Sequence, residues 1–135
     1  MRLVLNVSTS RRTGTARALS PTGAAVQHIA LDSADIFASV AALREAGVAF
    51  VPISPNYYDD LPTRFDLAPG LVERLRESGV LFDRSPQGDY FHIYGESFAG
   101  RFFFEIVQRS GGYDGYGALN APARMAAQAQ AAPGG

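Results

Sequence analysis

The chain has 135 residues, of which 47% are hydrophobic, enough for one domain with a buried core. Its 12 basic and 13 acidic side chains are interspersed and leave a formal charge of -1, which excludes the field that would gather nucleic acid or an anionic membrane surface. There is no cysteine, so disulfides, thiolate nucleophiles and thiolate metal sites are excluded, and any metal must be held by imidazole and oxygen.

In chain order, Arg2 to Ser8 alternates Leu3, Leu5 and Val7 with Arg2, Val4 and Asn6, the pattern of a strand. Its apolar run is too short for a signal peptide or a membrane span, and a cytoplasmic location is the expectation. Thr9 to Ala24 mixes Ser, Thr, Arg, Gly and Pro without periodicity and reads as a connector. Residues 1–24 are therefore expected to be a strand and linker left from a preceding module. Ala25 to Leu31 is expected to be a strand. Ser33 to Ala46 then reads as a helix, with Asp32 or Ser33 as N-cap, Gly47 as its stop, and Ile36, Val40 and Leu43 on one face.

Val48 to Ile53 is expected to be a strand ended by a Ser54-Pro55-Asn56 turn. The polar excursion that follows is too long for a hairpin and is expected to hold a short helix over Gly70 to Glu77, stopped by Gly79. Asp89 to Tyr94 and Arg101 to Gln108 read as the last two strands, and residues 128–135 as a disordered tail. The organised unit is thus an α+β module of βαβββ order over residues 25–127, with a mixed, curved sheet.

Side chains alternate across a strand. His28 shares a face with Val26 and Ala30, His92 with Tyr90 and Tyr94, and Glu105 with Phe103 and Val107. The complementary sets Ile29/Leu31, Phe91/Ile93 and Phe102/Phe104/Ile106 form the natural bed for the helix. That arrangement leaves His28, His92 and Glu105 together on the opposite face. A carboxylate among phenylalanines and branched aliphatics needs a partner or a cation. Two imidazoles and one carboxylate make the ligand set of non-haem Fe(II) sites with open positions. Each residue taken alone has a plainer reading: a lone strand histidine is usually a hydrogen-bonded core or surface residue. Glu105 could likewise pair with Arg101 or Arg109.

Several blocks resemble 4-hydroxyphenylpyruvate dioxygenases of the vicinal-oxygen-chelate superfamily, in the same order: VQHIAL at Val26 to Leu31 with the DIFASVAALREAGVAFVPI that follows, NYYDDL at Asn56 to Leu61, FFFEIVQR ending at Arg109, and GYDGYGALN at Gly112 to Asn120. The similarity is closer still to the dioxygenase-like C-terminal half of bacterial two-part proteins whose N-terminal half is a sugar-phosphate-isomerase-like barrel with 3-dehydroshikimate dehydratase activity.

The resemblance implies that His28 and Glu105 are iron ligands, with Fe(II) as the metal and Mg2+, Mn2+ or Co2+ as alternatives. It places Tyr94, Phe103 and Asn120 against a small-molecule substrate. The dioxygenases usually carry Gln where this chain has His92, which makes His92 either an added metal ligand or a residue that contacts substrate or metal-bound water. A glycine and a phenylalanine of the family stand here as Leu119 and Ala121. The family's remaining histidine ligand comes from an earlier module, so the resemblance implies a homodimer or a covalent upstream module. The activity it implies is that of a non-haem Fe(II) dioxygenase module acting on a 2-oxo acid or related aromatic compound. The alternatives are a non-redox divalent-metal module of a 3-dehydroshikimate dehydratase-type protein, and a non-catalytic binding half-domain.

Overall fold

The computed structural model describes residues 25–98 and 102–131. The expected strand and linker of residues 1–24, residues 99–101 of the link before the last strand, and residues 132–135 of the expected tail lie outside the described residues. A four-stranded mixed sheet is built from β1 (His28–Asp32), β2 (Leu81–Ser85), β3 (Gly88–Tyr94) and β4 (Phe103–Arg109) in the order β1-β4-β3-β2. β1 runs parallel to β4, and the other two pairings are antiparallel.

Helix α1 (Ile36–Glu45) starts later than expected and is capped by Asp35, whose carboxylate accepts the N–H groups of Phe37 and Ala38. Neither Asp32 nor Ser33 is free for that role. Asp32 is still in register with Val107, and the Ser33 N–H donates to the Val107 carbonyl at 2.8 Å. Gly47 follows the helix with φ 86°, a backbone position that favours glycine.

The expected strand over residues 48–53 is not formed. Phe50 makes a single bridge to Gly95. The outer side of β3 is occupied by β2, whose pairing reaches as far as Leu81 opposite His92, and only the residues beyond remain for residue 50. The Ser54-Pro55 pair, read as a turn, begins helix α2 (Pro55–Arg64), with proline in the first helical turn where its missing N–H is harmless. Tyr57, Tyr58 and Leu61 recur at helical spacing and are buried. Helix α3 (Pro69–Ser78) contains the expected Gly70 to Glu77 segment and ends at Gly79, φ 69°. The true second strand is β2, which joins β3 through the two-residue turn Pro86-Gln87.

Beyond β4, a 3-10 turn (Ala118–Asn120) leads into α4 (Ala121–Ala131), so the helix continues into the first part of the stretch expected to be disordered. Among the described residues no helix is long and apolar enough to cross a membrane.

Ile93 and Ile106 are buried in the main core with Ile36, Val40, Leu61 and Leu75 of the helices. The expected helix bed is only partly covered, however. Ile29, Leu31 and Phe104 remain 41%, 48% and 43% exposed. α1 lies against β4 and α3, and the edge strand β1 projects beyond it. The opposite face carries His28, Phe103, Glu105, Tyr94, His92 and Tyr90, because the register sets His28 beside Phe103 and Glu105 beside Tyr94.

Candidate metal centre

Three of the expected residues meet around one carboxylate. Glu105 is 5% exposed, from the middle of β4. Its Oε1 takes a 2.9 Å hydrogen bond from His92 Nδ1 and a 3.3 Å bond from the Tyr90 hydroxyl. Its Oε2 stands 3.4 Å from His28 Nε2. Of the expected alternatives, Arg101 lies outside the described residues, and the Arg109 guanidinium lies over the Tyr90 ring at 4.7 Å.

Burial raises the Glu105 pKa, but the hydrogen bond from His92, with His28 and Tyr90 adding, outweighs it and holds the carboxyl below its ordinary value. Burial lowers the His28 pKa. Glu105 opposes that shift and Arg124 reinforces it, with a net lowering. Both side chains are therefore in the forms that donate electron pairs at neutral pH: an ionised carboxylate and an unprotonated imidazole.

His92 is fully buried, and both ring nitrogens are engaged. Asn120 Nδ2 lies 2.8 Å from His92 Nε2 and donates to the Phe82 carbonyl at 3.0 Å. The Tyr57 hydroxyl lies 3.0 Å from Asn120 Oδ1 and accepts the Phe82 N–H at 2.9 Å. One proton arrangement satisfies the whole set: Asn120 donates to Nε2, and Nδ1–H donates to Glu105. In that tautomer neither His92 nitrogen has a lone pair free for a cation. The same chain seals the outer edge of β2, since Tyr57 and Asn120 occupy the Phe82 backbone groups. Asn120 is fully buried with its amide committed to His92, Phe82 and Tyr57, which places it behind His92 rather than on the open side.

The open side is walled by aromatic rings. His28 stacks on Phe103 at 5.3 Å, and Tyr94 meets Phe103 edge-on at 5.8 Å. Burial and the neighbouring Glu105 push the Tyr94 hydroxyl pKa up, so it stays protonated. Residue-type patterning did not single out Tyr57, Tyr113, Gly117 or Arg124. Tyr113 donates to Asp83 Oδ2 at 2.6 Å and accepts the Gly117 N–H at 3.1 Å, holding the loop after β4 against the sheet. The signal for Tyr113 and Gly117 lay in the GYDGYGALN block, where the glycines permit a close approach that no periodicity describes, and that for Tyr57 in NYYDDL.

Two donors each about 2.1 Å from a common divalent cation stand roughly 3.0 Å apart at a right angle and roughly 3.4 Å apart at the tetrahedral angle. His28 Nε2 and Glu105 Oε2 fit such a pair. Among the described residues no group of three His, Cys, Asp or Glu side chains is arranged to hold a metal unaided. His28 Nδ1 is buried without a hydrogen-bond partner among the described residues. Histidine ligands normally donate through their second nitrogen, and Nδ1 is the one that would do so here. The residues thus fit two positions of a metal site.

The Tyr57 link can be tested directly. Tyr57→Phe leaves the Phe82 N–H and one Asn120 lone pair unmatched and is expected to lower stability by about 2 kcal/mol in urea denaturation. Burial raises the Tyr57 pKa to about 12. A raised folded-state value means that its contribution is complete below the unfolded value of about 10 and is lost as pH rises toward 12, by roughly 3 kcal/mol. The Tyr57 share of that alkaline loss should be missing from the Phe variant, which keeps the loss from the other buried tyrosines with raised pKa values. Equal alkaline losses in wild type and the Phe variant would contradict the burial of the Tyr57 hydroxyl.

No protein-family model matches the chain. It is 54% identical over 136 residues to a 3-dehydroshikimate dehydratase of Pseudomonas aeruginosa, covering 99% of this chain and 22% of that protein. It is 39% identical over 100 residues to 4-hydroxyphenylpyruvate dioxygenase of the same organism, covering 73% of this chain and 28% of that protein. A solved structure of a xylose isomerase-like TIM barrel/4-hydroxyphenylpyruvate dioxygenase fusion protein superposes with a TM-score of 0.81 at 48% identity, over 95% of this chain and 21% of that one. The chain therefore spans only 21% to 28% of the length of these relatives. With the sheet order, the sequence blocks and the solved fold in agreement, the chain is a 4-hydroxyphenylpyruvate dioxygenase-like module of the vicinal-oxygen-chelate type.

Proposed function

We propose that this module supplies two protein ligands, His28 and Glu105, to a non-haem Fe(II) site of dioxygenase type acting on a 2-oxo acid or related aromatic compound. The observation that carries the reading is the 3.4 Å convergence of His28 Nε2 and Glu105 Oε2 beside the Phe103 and Tyr94 wall. A ferrous ion, when bound, supplies Lewis acidity and redox chemistry. The chain's own residues do the positioning. His92 Nδ1–H pins Oε1 of Glu105, which turns Oε2 toward His28, and Asn120 and Tyr57 hold His92 in turn. Phe103 and Tyr94 exclude water and offer an apolar wall to a planar substrate.

The remaining ligands come from an upstream module or a second copy of the chain. The fusion to a barrel named for the structural relative supports such a neighbour. A second reading is favoured by the 54% identity to a 3-dehydroshikimate dehydratase: a non-redox module using Mg2+, Mn2+ or Co2+.

Metal titration followed by oxygen uptake separates these readings. The first reading requires Fe(II) binding at one ion per site and oxygen consumption with 4-hydroxyphenylpyruvate or a similar 2-oxo acid, measured in a protein joining the chain to its barrel. Binding of a redox-inert ion with oxygen-independent loss of 3-dehydroshikimate supports the second reading. Absence of divalent-metal binding altogether removes both.

A further inference from the structure

α4 is built almost entirely of alanine, glutamine and other uncharged residues, and Arg124 is its single charged side chain. That arginine lies over the candidate site. Its guanidinium carbon is 5.4 Å from the Tyr94 ring centre and 5.8 Å from that of Phe103, the ring on which His28 stacks. The spacing is that of a cation held on an aromatic surface. Arg124 is only half-buried and makes no ion pair among the described residues, whereas Arg76 and Arg84 are paired with carboxylates. Glu105, the carboxylate nearest this wall, is already engaged by His92, Tyr90 and His28. Among the described residues the guanidinium therefore keeps unused donors beside the aromatic wall.

From this geometry we infer that Arg124 is a specificity-determining residue, selecting ligands that carry a carboxylate next to a flat apolar body. The inference rests on the reading of this face as the substrate side of the site. The ring system packs along Phe103 and Tyr94, and the carboxylate accepts from the guanidinium, whose planar fork matches two oxygens. A divalent cation on His28 and Glu105 would strengthen the demand for an anion, since one carboxylate leaves that site with a net positive charge and Arg124 adds to it.

The test uses the full chain with phenylacetate and phenylacetamide, which share size and ring and differ in charge, each titrated with and without Co(II). Wild type is expected to bind the carboxylate at least about tenfold more tightly than the amide. Without Co(II), Arg124→Leu, which keeps an apolar side chain over the rings, should abolish the preference, and Arg124→Lys should restore part of it. The guanidinium 15N resonances should move with phenylacetate and not with the amide. Co(II) affinity without organic ligand should be unchanged or slightly higher in Arg124→Leu. Equal binding of acid and amide, a preference that survives in metal-free Arg124→Leu, or unmoved guanidinium resonances at saturating phenylacetate would overturn the assignment. Failure of Co(II) to bind, with an Arg124-dependent preference intact, would sink the metal reading and leave this one standing.

Discussion

Glu105→Gln is expected to reduce divalent-metal affinity by at least about a hundredfold while leaving the fold in place. The amide has the same shape as the carboxylate, and its oxygen can still accept the His92 Nδ1–H, so the buried contact at 2.9 Å survives. What disappears is the anionic oxygen that faces His28 Nε2. Loss of a charged ligand exceeds the ten- to hundredfold that outer partners of a ligand typically contribute. His92→Gln should therefore fall between wild type and Glu105→Gln, since it loosens the carboxylate without removing it. Calorimetric titration with Co(II), alongside circular dichroism to confirm folding, reads both. Equal collapse in the two variants would instead mark His92 as a direct ligand.

Gly117→Ala is expected to destabilise the protein by about 2–4 kcal/mol and to disturb the site from outside it. Gly117 has φ 61°, and a Cβ there would stand 2.8 Å from Tyr90 Cε1 and 2.9 Å from His92 Cε1. Left-handed strain and overpacking add in the same direction. Both rings are buried and bonded to Glu105, so they have little room to retreat. For a domain of this size the loss corresponds to a fall in Tm of roughly 10 °C or more. Thermal denaturation reads it, and metal affinity should drop as His92 is pushed against the carboxylate. An unchanged Tm would mean that the loop over His92 is looser than its contacts indicate.

Much of this arrangement could be read from periodicity. Strand alternation placed His28, His92 and Glu105 on one face because the side-chain period is two and each residue sits within a clear β run. Gly47 and Gly79 marked helix ends because both adopt positive φ. The misplaced second strand has a physical cause. Val48 to Ile53 looks like a strand locally, yet β2 already occupies the outer side of β3. LFDRS was passed over because Asp83 and Arg84 hide its character; Asp83 is buried by Tyr113, and Arg84 is neutralised by Asp89.

Helix α2 was missed because Ser-Pro serves equally as a turn and as a helix start, and the deciding factor is the burial of Tyr57, Tyr58 and Leu61. At the site, alternation supplied the faces but not the bonding. That His92 is held between Glu105 and Asn120 depends on where the 3-10 turn returns, a contact between residues 28 positions apart. No local pattern carries that information. Arg124 was invisible for the same reason, being one cation on a helix with no apolar period of its own.

On the proposed function, His28 and Glu105 are the chain's metal donors and His92 positions the carboxylate. Imidazole 15N spectroscopy of the chain, titrated with Zn(II) as a diamagnetic probe, tests it most directly. One His28 nitrogen, Nε2, is expected to move to a metal-bound shift in wild type and not in Glu105→Gln. The His92 pattern, with the proton on Nδ1 and Nε2 accepting a hydrogen bond, should persist through the titration. A metal-bound shift at either His92 nitrogen, or a His28 ring unmoved at saturating Zn(II), would contradict it.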